Sequence, residues 1–300
     1  MTIQKIFSSL GTVNTITAEC GEQETEKTNA VLDQAERYIR TLDDALSVFK
    51  PASEISRLNK AAGKEAVPVG KDTYEIIRLS EQYKRLTGGA FNAAAKPLTE
   101  LCKSTPTPDR KAVRAALKLT NGEIVMDEKG SSVLLKRKGQ ALDFGGIAKG
   151  YAMDQLIRLF EENGVKNVLI NLGGTVCSVG KERSIGIRDP FTPANRNAPQ
   201  RIVASISSQD EIFVTSGTYE QGLHIVDPVK GRLAQTELLA VTVIGRNGAL
   251  LDAAATACMV LGLKKSVNLL QKNRLDGVFI LTDGSILATD KIQNRLERKG

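Results

Sequence analysis

The stretch DFGGIAKGYAMDQL, Asp143 to Leu156, compresses a strand end, a double-glycine turn and a helix start into one short segment. Gly145 and Gly146 bend the backbone directly into that helix, whose first N–H groups lack intrahelical partners. Such a helix start carries the positive end of the helix dipole and suits an anion such as phosphate. Any fold of this chain must bring a strand end and a helix N-terminus together at this point. Around it, helical and strand patterns mix without strict alternation, no repeat of roughly 20 to 50 residues recurs and no low-complexity linker divides the chain. The expected architecture is α+β, a single domain over residues 1–300 with an antiparallel-rich sheet and helices packed on it.

Individual segments support that reading. KIFSSLGTVNTITAEC has strand composition, with Gly11 suggesting a bulge or a close approach to a ligand. Val31, Leu32, Ala35, Ile39, Leu42 and Leu46 fall at helical spacing and predict a long helix that ends before Pro51. SEISRLNKA, KDTYEIIRLSEQYKRLTGG and DRKAVRAALKL read as further helices, and GEIVMDEKGSSVLLKRKGQALDF as strands turning at Lys129-Gly130. KNVLINLGGTVCSVG predicts two strands about a double-glycine turn, and RIVASISSQDEIFVTSG a hairpin. LLAVTVIG reads as a buried strand, GALLDAAATACMVLG as a small-residue helix, and DGVFILTDGSILATD as a closing hairpin.

Composition removes several function classes. The net charge of +7 arises from 41 basic and 34 acidic residues, with the excess in short runs such as KRKG and RLERKG that read as solvated surface. Aromatic residues make up only 4% and tryptophan is absent, so the stacking platforms of nucleic-acid modules are missing. Cys20, Cys102, Cys177 and Cys258 are scattered singly, which gives neither a zinc site nor a disulfide framework. The polar start, MTIQKIFSSLGTVNTITAEC, lacks the apolar run of an export signal, and no segment is long enough to span a bilayer. The expectation is a cytoplasmic protein with reduced thiols, no membrane anchor and no nucleic-acid partner.

Three features carry chemistry. Asp252 and Thr256 lie four residues apart and share one face of the helix LLDAAATACM, an oxygen pair suited to a hard cation such as Mg²⁺. The same pair is also explained by an acidic residue favouring the helix dipole and a threonine bonding back to a carbonyl. His224 is the sole histidine, and its imidazole can exchange a proton near neutral pH, although a lone histidine in an apolar run also serves as a structural residue. TGGAFNAAAKPL and INLGG add two more glycine pairs, which can expose backbone to a ligand or simply end elements. Together, anion-binding turns, a cation pair and one titratable base are what phosphoryl transfer requires.

Nine ordered blocks then resemble the ApbE family of FAD:protein FMN transferases: LGT, LSVFKPASEISRLN, TGGAFNAAAKPLTEL, DFGGIAKGYAMDQL, NVLINLGG, IGIRDP, TSGTYEQ, HIVDPVKG and LLDAAATACMVLG. The resemblance implies an enzyme that takes FAD and Mg²⁺, transfers FMN to a Thr or Ser of an acceptor flavoprotein, and releases AMP. It implies His224 as catalytic base and Asp252, Thr256 and the carbonyl of Ala148 as metal ligands. Leu10, Phe49, Ala90, Phe91 and Asn92 correspond to positions lining the FAD pocket, with Asp143 and Lys149 holding the loop and nucleotide. Asn92 stands where the family usually has Asp, and Phe49 where Tyr is common. The alternatives are an FAD pyrophosphatase giving FMN and AMP, and a non-catalytic FAD-binding protein.

Overall fold

The computed structural model describes residues 1–105, 107–192, 201–218 and 225–299. Strands β1 (Thr2–Ser9) and β2 (Thr12–Glu19) pair in antiparallel register through Leu10 and Gly11. Both turn residues have positive φ, 52° and 73°, so the expected interruption at Gly11 is a two-residue hairpin turn rather than a bulge. Left-handed pairs of this kind match the twist of the flanking strands. Helix α1 (Thr25–Leu46) buries all six residues of the predicted stripe. Helix α2 (Glu54–Ala61) starts at Ser53, whose hydroxyl accepts the Ser56 N–H at 2.9 Å.

After β3 (Val67–Pro68), helix α3 (Lys71–Leu86) runs out into left-handed Gly88 and Gly89. Helix α4 (Lys96–Ser104) is not among the helices expected from the sequence, although Pro97 in its first turn is a helix-start signal. Asp109 caps α5 (Arg110–Thr120), and β4 (Ile124–Asp127) and β5 (Ser132–Leu135) flank the predicted Lys129-Gly130 turn. Helix α6 (Ala148–Glu162) leads to the hairpin of β6 (Val168–Leu172) and β7 (Thr175–Val179), followed by β8 (Arg183–Arg188). The chain continues through β9 (Ile202–Ser208), β10 (Ile212–Gly217), the short β11 (Val226–Asp227) and β12 (Arg232–Leu233), and β13 (Leu238–Gly245). It closes with α7 (Gly248–Leu261), α8 (Leu263–Lys272), β14 (Asp276–Leu281), β15 (Ile286–Ala288), α9 (Asp290–Gln293) and β16 (Leu296–Arg298).

An eight-stranded sheet in the order β1-β2-β6-β7-β10-β13-β14-β15 organises the molecule, with antiparallel pairing throughout. The α+β, antiparallel expectation holds. One local expectation does not: β9 and β10 form no hairpin. β10 enters the large sheet between β7 and β13, whereas β9 sits between β16 and β8 in a separate three-stranded sheet. Both faces of the large sheet explain the crossover. Val241 and Val243 of β13 face the helical core, while Ala240 and Ile244 face a second apolar layer with Ile185, Ala204 and Ile206 of the small sheet. Strands buried on both sides need a cover on each, and the crossover from β9 to β10 supplies the second cover.

A charged cluster pins that crossover. Glu211 accepts hydrogen bonds from Arg295 at 2.5 and 3.2 Å and from the Ser208 hydroxyl at 2.6 Å. Burial by itself would raise its carboxyl pKa, but the Arg295 and Ser208 hydrogen bonds outweigh burial and hold it below the ordinary value of 4.5. A folded-state pKa below the unfolded one contributes stability above the unfolded value, lost as pH falls through the folded one. Glu211→Gln is therefore expected to lower the thermal midpoint most at pH 7, with the gap to the parent closing below about pH 4. Parallel melts from pH 7 to pH 3 check this; a gap independent of pH would contradict it.

Among the described residues no helix is long and apolar enough to cross a membrane. None of the four cysteines is in a disulfide, and burial pushes the Cys177 and Cys258 thiols up to about 12.

Candidate active site

α7 is small or apolar on nearly every side, as a helix buried all round must be, and it packs against α6, β10 and β13. Its crossing with α6 depends on two glycines. A Cβ placed on Gly150 would lie 2.0 Å from the Gly248 carbonyl oxygen, and one on Gly248 would lie 2.3 Å from that of Gly150. The two helix starts therefore touch backbone to backbone. Two carboxylates tie them in opposite directions. Asp154 of α6 accepts the N–H groups of Gly248 at 2.6 Å and Ala249 at 2.9 Å, satisfying the first turn of α7. Asp252 of α7 accepts the Gly150 N–H at 3.0 Å through Oδ2, in the first turn of α6. Burial pushes the Asp154 carboxyl above the ordinary carboxylate range, against the pull of the Ala249 and Gly248 N–H groups.

Asp252 thus serves the start of the neighbouring helix, not its own. Its Oδ1 has no hydrogen-bond partner among the described residues, although the residue is only 2% exposed. One turn on, the Thr256 hydroxyl has none either, so it does not bond back to a carbonyl. A Cβ on Gly146 would come within 2.7 Å of Thr256 Oγ1 and 3.5 Å of the Phe91 ring, so only glycine leaves that space open. Ala148, the first residue of α6, lies two positions before Gly150, which places it at the same helix crossing. A carboxylate oxygen and a hydroxyl form an oxygen pair that fits Mg²⁺, which keeps several waters and takes phosphate oxygens, whereas Ala148 is not among the residues lining the cleft. Among the described residues no three His, Cys, Asp or Glu side chains gather into a protein-only metal cage.

Asp252 and Thr256 open into a cleft of about 480 Å³ whose lining brings together Phe49, Ala90, Phe91, Asn92, Asp143 and Lys149. Phe49 stands at 90% exposure, on a turn where its N–H donates to Ser47 Oγ at 3.3 Å. Asp143 Oδ1 accepts the Gly145 N–H at 2.9 Å, and its own N–H donates to the Ala93 carbonyl at 2.8 Å, joining two lining segments. Asn92 uses both ends of its amide: Oδ1 accepts the Ala94 N–H at 2.9 Å and Nδ2 donates to the Thr120 carbonyl at 3.3 Å. A carboxylate could make the first bond and not the second. Leu10 is placed differently. It sits in the β1–β2 turn, packs against the core and is not among the lining residues. His224 lies outside the described residues, and Ile225, which follows it, lines the cleft.

Sequence reasoning missed other contributors. Asn59 of α2 accepts the Leu142 N–H at 2.8 Å and donates to the Leu142 carbonyl at 3.0 Å, holding the segment that leads into Asp143. That segment is a loop and not the expected strand end, since β5 stops at Leu135. A polar residue late in an amphipathic helix gave no sign of this. Thr215 and Ser216 at the end of β10, and Lys96, Thr99 and Lys103 of α4, complete the walls. The α4 residues share one helical face, and Pro97 is the sequence signal that a helix starts there.

The model of the ApbE family matches residues 10–279. The chain belongs to the ApbE family. Every candidate residue proposed above lies within the ApbE match. The chain is 32% identical over 272 residues to the FAD:protein FMN transferase of Klebsiella pneumoniae, covering 86% of this chain and 84% of that one. It is 29% identical over 300 residues to the FAD:protein FMN transferase of Treponema pallidum, covering 89% and 82%. Solved ApbE structures share the fold: the ApbE protein of Thermotoga maritima superposes with a TM-score of 0.84 at 24% identity, over 100% of both chains. The flavin transferase ApbE of Vibrio cholerae does so with a TM-score of 0.80 at 22% identity, covering 98% and 99%.

Proposed function

We propose that this chain is a Mg²⁺-dependent FAD:protein FMN transferase that joins FMN through a phosphoester to a Thr or Ser hydroxyl of an acceptor flavoprotein and releases AMP. The observation that carries the reading is the helix crossing of α6 and α7. It sets a helix N-terminus and, unpartnered among the described residues, an Asp252 oxygen and the Thr256 hydroxyl on one wall of a cleft, in a chain whose relatives are named FAD:protein FMN transferases.

In this reading the diphosphate of FAD lies against the Gly145-Gly146 turn and Lys149, where the Lys149 ammonium and the helix dipole favour an anion. The Gly145, Ala148 and Gly150 N–H groups are already taken by Asp143, the Phe144 carbonyl and Asp252. Phe49 offers its exposed ring to the isoalloxazine, and Phe91 and Ala90 form the apolar wall. Asp252, Thr256 and the Ala148 carbonyl would hold Mg²⁺, which would supply positive charge to offset that of the diphosphate. The acceptor hydroxyl oxygen bonds to the FMN phosphorus as the bond from that phosphorus to the bridging oxygen breaks, and AMP keeps the bridging oxygen. His224 takes the hydroxyl proton. The acceptor is a cytoplasmic flavoprotein.

Intact mass of a flavoprotein domain bearing an acceptor threonine, after incubation with this protein, FAD and Mg²⁺, tests the reading. A gain of one FMN phosphoryl unit, abolished by EDTA, is the expected result. Release of free FMN and AMP without a mass gain would instead make the protein a pyrophosphatase, and FAD left intact would make it a binding protein.

A further inference from the structure

The charges lining the cleft are unevenly matched. Lys96 pairs with Glu100 at 2.7 Å, and Asp143 and Asp252 bond backbone N–H groups on the α6 side. Lys103 has no ion-pair partner among the described residues. Lys96, Thr99 and Lys103, at spacings of three and four, share one face of α4. The opposite face, Leu98 and Cys102, packs on Ala116 and on Val226 of β11, so the helix is anchored from behind and presents its lysines to the cleft. The Asp143–Ala93 hydrogen bond sets the start of α4 beside the glycine turn, and Lys103 lies about 10 Å beyond Lys96 along the helix axis.

FAD carries its negative charge only on the diphosphate; its isoalloxazine, ribityl and adenosine parts are neutral. If the diphosphate is held at the Gly145-Gly146 turn and Lys149, Lys103 is a second cation that FAD does not match. We propose that the Lys103 end of α4 receives an acidic side chain of the acceptor segment, beside the hydroxyl to be modified, and so selects the acceptor. This rests on the transferase reading above. α4 is also the element on which β11 packs.

Calorimetric titration of the full-length protein, holding FAD in EDTA so that no turnover intervenes, tests this with two peptides. One has a central threonine flanked by aspartates, and the other has asparagines in their place. The aspartate peptide is expected to bind about 5-fold more tightly, the upper end for a partly exposed ion pair. Lys103→Glu should erase that preference while leaving FAD affinity, read by flavin fluorescence, unchanged. Lys265→Glu on the exposed surface of α8 makes the same change in net charge and should keep the preference. Binding of neither peptide, equal binding of both, survival of the preference in Lys103→Glu or its loss in Lys265→Glu would overturn the inference. Loss of FAD binding in Lys103→Glu would also overturn it, by placing Lys103 in the nucleotide site. Failure of the parent protein to bind FAD would remove the transferase reading itself.

Discussion

Gly150→Ala is expected to lower the thermal midpoint by roughly 5 °C or more and, on the transferase reading proposed above, to abolish FAD cleavage. The added Cβ would sit 2.0 Å from the Gly248 carbonyl oxygen and 2.8 Å from the Asp252 Cβ, neither of which is the mobile end of a side chain. α6 and α7 must then separate. Separation lengthens both the 3.0 Å contact from Gly150 N–H to Asp252 and the 2.6 Å contact from Gly248 N–H to Asp154, leaving buried polar groups unpaired. Gly21→Ala is the matched control: its Cβ would meet only Glu24 Oε2, at 3.6 Å, and the residue is exposed and outside the cleft lining. Melting curves and FAD-cleavage rates of the two variants decide the matter. Equal stability of Gly150→Ala and the parent would show that the helices do not depend on this contact.

The second large effect falls on Asp252. In Asp252→Asn the amide oxygen still accepts the Gly150 N–H, so the helix crossing and the thermal midpoint are expected to stay near the parent's. What changes is the atom facing the cleft, now without the negative charge that a hard cation prefers. Loss of several kcal/mol of charge stabilisation predicts a fall in FAD cleavage of about 100-fold or more at a given Mg²⁺ concentration. Part of that loss should be recovered by raising Mg²⁺. Rates measured across a Mg²⁺ series, alongside melts, separate this from unfolding. A variant with the parent's metal dependence would remove Asp252 from the ligand set.

Much of this site was legible before any coordinates, because several signals were local. The glycine turn at 145–146 and the Asp252, Thr256 spacing depend on backbone freedom and helical period, and both hold in the fold. The buried stripe of α1 likewise follows from its own periodicity. Other features depend on partners distant in the chain. RIVASISSQDEIFVTSG has the alternation of a hairpin, yet β10 finds both of its neighbours elsewhere, since a strand buried on both faces gains more from β7 and β13. Asn59 lies 83 residues from the Leu142 backbone that it grips, and no local pattern marks such a pair.

The amino-acid sequence by itself determined helices α1, α2, α3, α5, α6 and α7 but not α4, α8 or α9, together with the glycine turns, the antiparallel character of the sheet and the residue types able to handle a phosphate and a hard cation. These follow from periodicity, backbone freedom and side-chain chemistry, which act over a few residues. Tertiary structure alone decided that Asp252 caps α6 and Asp154 caps α7, that Leu10 turns toward the core, and that α4 supplies a cleft wall. Those outcomes rest on contacts between elements up to about a hundred residues apart, as from Gly150 to Asp252, where close packing and the need to pair every buried N–H choose the partner.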